Sequence, residues 1–305
     1  MNVIELDQIA DAELIASNIP EDEYPAWNAA TNYIIGQRVM RAVDGVHLNF
    51  EAMAAGVDAA LPEVSAKSET PRWLSLGATN RWAMFDDAIG TATVADDMID
   101  VSLLARGAGA LVLMELQGRS VRIERELDGR NIYESDISLD DTPISGFYDW
   151  FFEPFRQRTS VVVSDLPGAV YGGSLRVLIE GTAGVACGVC RTGVARYYGD
   201  LSMGVEFGVE DYSIKARDRW GRYSVKEGAY SQVVKCRIAS EPEEFNETVR
   251  KLAALRARLA YYELTDMDRL ITLNVLGYYK DFRLNIDEHT LYYVTLELES
   301  LALTL

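Results

Sequence analysis

Histidine is scarce in this 305-residue chain. There are two, His47 and His289, far apart and in no HExxH or HxH arrangement. A histidine-based metal site or general base therefore has little to draw on. Cysteine is nearly as rare. Cys187, Cys190 and Cys236 are too few and too unevenly spaced for a disulfide framework, so reduced thiols are expected. The pair Cys187-Gly-Val-Cys190 has the spacing of redox and zinc sites. It sits, however, in alternating GTAGVACGVCRTGV with no second CxxC and no helix start behind it, and no metal is expected there. No apolar run reaches the roughly 20 residues of a membrane span. The opening MNVIELDQIADAELIASNIPEDE carries acids where a secretory signal carries bases, so the chain is expected to be made and used without Sec export. Basic residues are also in deficit, 29 against 47 acidic, for a net charge of −18. That balance opposes attraction to phosphate backbones and anionic membranes, and nucleic acid is not an expected partner.

Other chemistry is missing too. Gly172-Gly173 and the stretch Gly204 to Gly208 lack the lysine and helix of a phosphate loop and read as turns or bulges. The doublets Asp86-Asp87, Asp96-Asp97 and Asp140-Asp141 are in no calcium-loop pattern, and turn formation accounts for them. No cofactor and no catalytic residue can be nominated, and an enzyme is not expected.

What is present is a globular composition, 49% hydrophobic and 25% charged, long enough for two or three domains. The pattern predicts a mainly β protein in four parts. Residues 1–23 read as an N-terminal arm: a strand-like MNVIEL, a short helix in DQIADAELIAS and a turn-rich end. Residues 24–78, in short runs between Gly and Pro, predict a small β-module. Residues 79–211 alternate with period two and predict a jelly-roll-like β-sandwich. Residues 212–305 predict an α+β domain. There Ser240 to Glu243 spells a capping box, and Phe245, Val249, Leu252, Leu255 and Leu259 form the stripe of the one main helix, followed by strands in a β-α-β-β order. One segment breaks the sandwich pattern. GFYDWFFEPFRQ holds Phe147, Tyr148, Trp150, Phe151, Phe152 and Phe155, and either plugs an end of the sandwich or forms a contact between subunits.

Two sets of residues carry a resemblance. Trp27, Tyr33, Gly36 and Val39, followed by Phe50, Pro62 and Trp73, resemble the small chitin-binding-type carbohydrate modules. The resemblance implies a compact three-stranded β-module in which Trp27, Tyr33, Phe50 and Trp73 divide between a core and a face on which sugar rings stack. WLSLGATNRWAMFDD (Trp73 to Asp87) resembles a junction that recurs in tail and baseplate proteins of long-tailed bacteriophages. A second stretch, Tyr198-Gly199-Asp200 and then Gly204 to Ser213, Lys215 and Asp218 to Gly221, resembles the same family, and the two occur in the family's order. The resemblance implies a structural protein of the tail tip or baseplate, assembled in the host cytoplasm and located in the virion tail. Its partners would be other tail and baseplate proteins and further copies of itself, as a trimer or hexamer. Glycan binding during host adsorption is the alternative, and a glycan-degrading enzyme the weakest. At the junction, Trp82, Met84 and Phe85 are expected to plug into the sandwich, with Arg81 over an indole or paired with Asp86 or Asp87.

Overall fold

Two Asp-Gly pairs set the character of the chain. Asp44-Gly45 and Asp128-Gly129 have positive φ at all four positions, as a two-residue type I′ turn requires. Each closes a hairpin, Arg38–Val43 with Val46–Ala52 and Ser120–Leu127 with Arg130–Ser138. The computed structural model describes residues 1–301 apart from 58–59, 89, 143–145, 153, 155, 169–171, 218, 242, 244, 266 and 286–291. The side chains of Asp149, Trp150, Ser240, Asp268, Arg269 and Ile271 are also outside the described set. The fold is mainly β, with three helices among the described residues: α1 (Pro62–Ser65), α2 (Phe147–Phe152) and α3 (Phe245–Ala254), the longest.

The chain forms two compact units, one of residues 8–86 and 91–192 and the other of residues 1–7, 87–90 and 193–305. The first holds the small module and the sandwich. In the module, Arg38–Val43, Val46–Ala52 and Trp73–Ala78 make a three-stranded antiparallel sheet. Tyr33, Val39, Phe50, Ala52 and Trp73 form its core. The sandwich has a five-stranded antiparallel sheet in the order Arg130–Ser138, Ser120–Leu127, Ser174–Glu180, Met98–Leu104, Leu14–Ser17. Because side chains alternate across a strand, Val101, Ile123 and Val177 point inward from this sheet. They share one cluster with Leu111 and Leu113 of Ala110–Met114 and with Val161 and Val163 of Ser160–Val163. The short helix expected in DQIADAELIAS is replaced by the edge strand Leu14–Ser17 on Met98–Leu104. A helix that short is unstable alone, whereas the sheet edge supplies ladder partners.

The second unit is built on an antiparallel sheet in which Asn2–Leu6 lies between residues 193–197 and Ala260–Glu263. Val275–Asn285, Tyr292–Ser300 and Tyr230–Ser240 follow in order. Residues 1–23 are therefore not an arm. Asn2–Leu6 is hydrogen-bonded on both sides with Val3 and Ile4 fully buried, and the pairing is long-range in sequence. The boundary expected at residue 211 also moves. Strand Val189–Tyr197 leaves one unit at Thr192 and enters the other at Gly193.

Helix α3 follows Tyr230–Ser240 and precedes Ala260–Glu263, giving the β-α-β-β order. Leu252 and Leu255 join Val234, Cys236, Ile238, Val294 and Leu296 in one core. On the same helix Thr248 accepts a 2.8 Å hydrogen bond from the buried Tyr292 hydroxyl. Ser240, the first residue of the expected capping box, is the last residue of its strand, in register with Tyr292, and its side chain is outside the described residues. Ala257, at φ 58°, turns the chain before Leu259 can extend the helix.

Candidate interaction surface

The small module's aromatics fall where a sheet of three short strands needs bulk. Tyr33, Phe50 and Trp73 are buried, and the rings of Tyr33 and Trp73 meet edge-to-face at 5.0 Å. Trp27 is half-buried, with the Arg41 guanidinium 5.0 Å from its ring centroid and Arg41 held in turn by Glu63 at 3.0 Å. Of the four residues expected to divide between a core and a stacking face, Tyr33, Phe50 and Trp73 are core, and Trp27, the one left at the surface, carries a cation over its ring.

Trp82, Met84 and Phe85 have no exposed surface and belong to the sandwich core. Trp82 caps the turn Ala83–Phe85, and the Thr79 carbonyl accepts from the amides of Trp82 and Ala83. Arg81 is neither over an indole nor paired with Asp86 or Asp87. It donates to the Ile19 carbonyl at 2.8 Å and pairs with Glu21 at 3.3 Å, and the imidazole of His47 lies 5.2 Å from the Trp82 ring. Glu21 is the hub of this clasp. It accepts from the Thr79 hydroxyl at 3.0 Å and contacts His47 Nδ1 at 2.7 Å. Glu23 accepts from the Asn80 amide and from Asn49 at 2.7 Å. Sequence reasoning missed these acids because an EDE run in a turn looks like any solvated loop. Their partners, at 47, 49 and 79 to 81, are brought to them by the sheet.

Several of the groups that could do chemistry are buried or hydrogen-bonded within the fold. All three cysteines are buried. Burial pushes the Cys187 thiol well above its usual range and moves Cys190 and Cys236 up to about 12. A thiol in such surroundings is a poor nucleophile and a poor metal ligand. The native protein is expected to show no reaction with a disulfide reagent such as DTNB at pH 8, and to titrate all three thiols once denatured. Rapid labelling of a native thiol would return Cys187-Gly-Val-Cys190 to consideration as a redox pair.

Asp86 accepts from the Thr91 hydroxyl, and Asp141 pairs with Arg158 at 3.2 Å. Asp140 accepts from the Thr142 amide at 3.1 Å, and hydrogen bonds from Thr142 hold its carboxyl below the usual range. These are turn and surface contacts. Among the described residues no group of three or more His, Cys, Asp and Glu side chains is placed to hold a metal. His289 is outside the described residues. An open groove of about 640 Å³ runs beside Arg119, Ser138, Glu180 and Asp136. Asp136 is paired with Arg122 at 2.9 Å, and Arg119, Ser138 and Glu180 are likewise polar or charged.

Helix α2 is different. Its stem is pinned to the sandwich: Asp141 donates its amide to the Arg156 carbonyl, and Arg158 to the Leu139 carbonyl. The helix itself does not turn its rings inward. Phe147, Tyr148, Phe151 and Phe152 are 83%, 73%, 60% and 68% exposed. They pair with one another at helical i,i+4 spacing, Phe147 with Phe151 at 5.5 Å and Tyr148 with Phe152 at 4.7 Å. For these four rings the plug reading does not hold. Trp150 lies on the same helix with its side chain outside the described residues, and Phe155 is outside them entirely. Each ring buries about 150–250 Å² when covered. Covering the four would thus be worth on the order of 10 kcal/mol before the costs of association.

No helix among the described residues is long and apolar enough to cross a membrane. Comparison with protein-family models, with curated proteins and with solved structures gives no match.

Proposed function

We propose that the chain is a structural subunit of a bacteriophage tail tip or baseplate, acting through contacts with further copies of itself and with neighbouring tail proteins. The observation that carries this reading is the aromatic face of α2. Four large rings stand in solvent on a short helix with a pinned stem, and apolar patches of that size mark interaction sites. The resemblance at Trp73 to Asp87 and at Tyr198 to Gly221 supplies the kind of assembly, and the strand-rich units supply rigid platforms for contacts. The glycan reading is left with Trp27 alone of the four residues it names, because Tyr33, Phe50 and Trp73 are core residues.

The test is assembly. Light scattering of the purified chain, alone and mixed with the other tail proteins, is expected to show a defined oligomer, and particle imaging is expected to place it in the tail. Phe147→Ser combined with Phe151→Ser should leave the melting curve close to that of the parent, since exposed positions contribute within about 0.5 kcal/mol, while weakening assembly. A chain that stays monomeric in every mixture and is absent from purified tails would overturn the proposal, as would turnover of a glycan by the pure protein.

A further inference from the structure

A second surface stands out by its charge. Ile214–Arg217 and Tyr223–Lys226 pair as an antiparallel hairpin, with Arg217 opposite Tyr223. Period-two alternation normally signals a strand with one buried face. Here every described residue from Ile214 to Gly228 is exposed, Trp220 at 74% and Tyr223 at 70% among them. A two-stranded ribbon with water on both faces is marginal by itself. Its base is nonetheless fixed. Tyr212 donates its amide to the Ala229 carbonyl at 3.0 Å and its hydroxyl to Glu299 at 2.9 Å, and Lys215 pairs with Asp211 at 2.7 Å. The tip thus projects from a held stem.

The hairpin opposes the charge of the protein that carries it. Between Ile214 and Gly228 there are five basic residues and two acidic ones. Taking these from the chain's 29 and 47 leaves 24 basic against 45 acidic, a body of −21. Two of the cations also lie over exposed rings, Arg217 at 5.1 Å from the Tyr223 centroid and Arg219 at 4.9 Å from that of Trp220. A guanidinium on an aromatic plate keeps its donors available to carboxylates while the ring offers apolar contact.

We infer that this hairpin is an assembly arm whose occupant is the acidic body of a second copy of the chain. The inference rests on the subunit reading above and names the element and the partner. Bodies of −21 repel one another, and a basic arm reaching from each to the next supplies the attraction that offsets this. An arm-to-body contact is head-to-tail, and such contacts close into rings when the rotation permits.

The experiment compares the full-length chain with Arg217→Glu/Arg219→Glu/Arg222→Glu, by sedimentation and light scattering over a range of salt. The parent is expected to associate at low ionic strength and to dissociate as salt screens the contact. The triple variant should associate on the order of a hundredfold more weakly, with an unchanged circular dichroism spectrum and melting curve. If the triple variant assembles like the parent while the α2 serine variant does not, the arm is overturned and the structural reading stands. If the parent is monomeric alone and assembles only with other tail proteins, the second-copy partner is overturned. Salt-sensitive capture of short single-stranded DNA by a monomeric parent, lost in the triple variant, would overturn it in favour of a polyanion. A parent that neither assembles nor enters tails removes both proposals together.

Discussion

Replacing Trp82 with alanine is expected to destabilise the unit of residues 8–86 and 91–192 by about 3–5 kcal/mol, the range for removing a large aromatic from a core that cannot fully collapse. The side chain has no exposed surface. It packs edge-to-face on Phe85 at 5.7 Å and lies 5.2 Å from the His47 imidazole, so the void would open between the sandwich core and the strand Val46–Ala52 of the small module. Relaxation is restricted because the flanking backbone is already committed. The Thr79 amide donates to the His47 carbonyl, and Asn80 exchanges hydrogen bonds with Val94 in both directions, its side-chain amide to the Val94 carbonyl and the Val94 amide to its side-chain oxygen. The measurement is denaturant unfolding followed by far-ultraviolet circular dichroism, read as the transition of this unit, since a chain with two compact units need not unfold in one step. Leu76→Ala, three residues into the neighbouring strand but exposed, is the control and should shift the midpoint by no more than about 0.5 kcal/mol. A Trp82→Ala midpoint indistinguishable from that control would mean that the junction does not tie module to sandwich.

The same residues show what a sequence can and cannot convey. A tryptophan between an arginine and a Met-Phe pair reads as a plug because so large an apolar surface demands burial, and Trp82, Met84 and Phe85 are buried. The partner of Arg81 was not legible: Glu21 is 60 residues away and is brought near only by the folded sheets. Alternation in MNVIEL announces a strand without saying that its neighbours begin at residues 193 and 260. Alternation in IKAR and YSVK announces strands too, yet implies a buried face that this chain does not supply. Ser240 belongs to the ladder with Tyr292–Ser300, a pairing that its local pattern does not announce. The aromatic run at Phe147 was ambiguous because composition gives a ring's preference for burial and not where on the fold it stands. In each case the local preference was readable and the long-range partner was not.

The sharpest consequence of a long-range partner concerns the first strand. Val3→Asp is expected to destabilise the unit of residues 1–7, 87–90 and 193–305 by several kcal/mol near neutral pH, the effective penalty for an unpaired charge in an apolar interior. Val3 has no exposed surface, stands opposite Arg196 and Tyr262 in the two ladders, and shares a cluster with Tyr198, Val234 and Leu264. The new carboxyl would escape ionisation by taking a raised pKa in the folded state, above the value of about 3.9 it has in the unfolded chain. Between those two values the folded state holds more protons than the unfolded, so stability falls as pH rises. The deficit should accordingly be smallest below about pH 4, grow as pH climbs through the interval, and level off above the folded pKa. Val3→Asn, polar but uncharged, should cost less and show no such pH dependence relative to the parent. An element that ordered only against a neighbouring subunit would give a different result: both variants would leave the isolated chain's unfolding unchanged and weaken assembly alone.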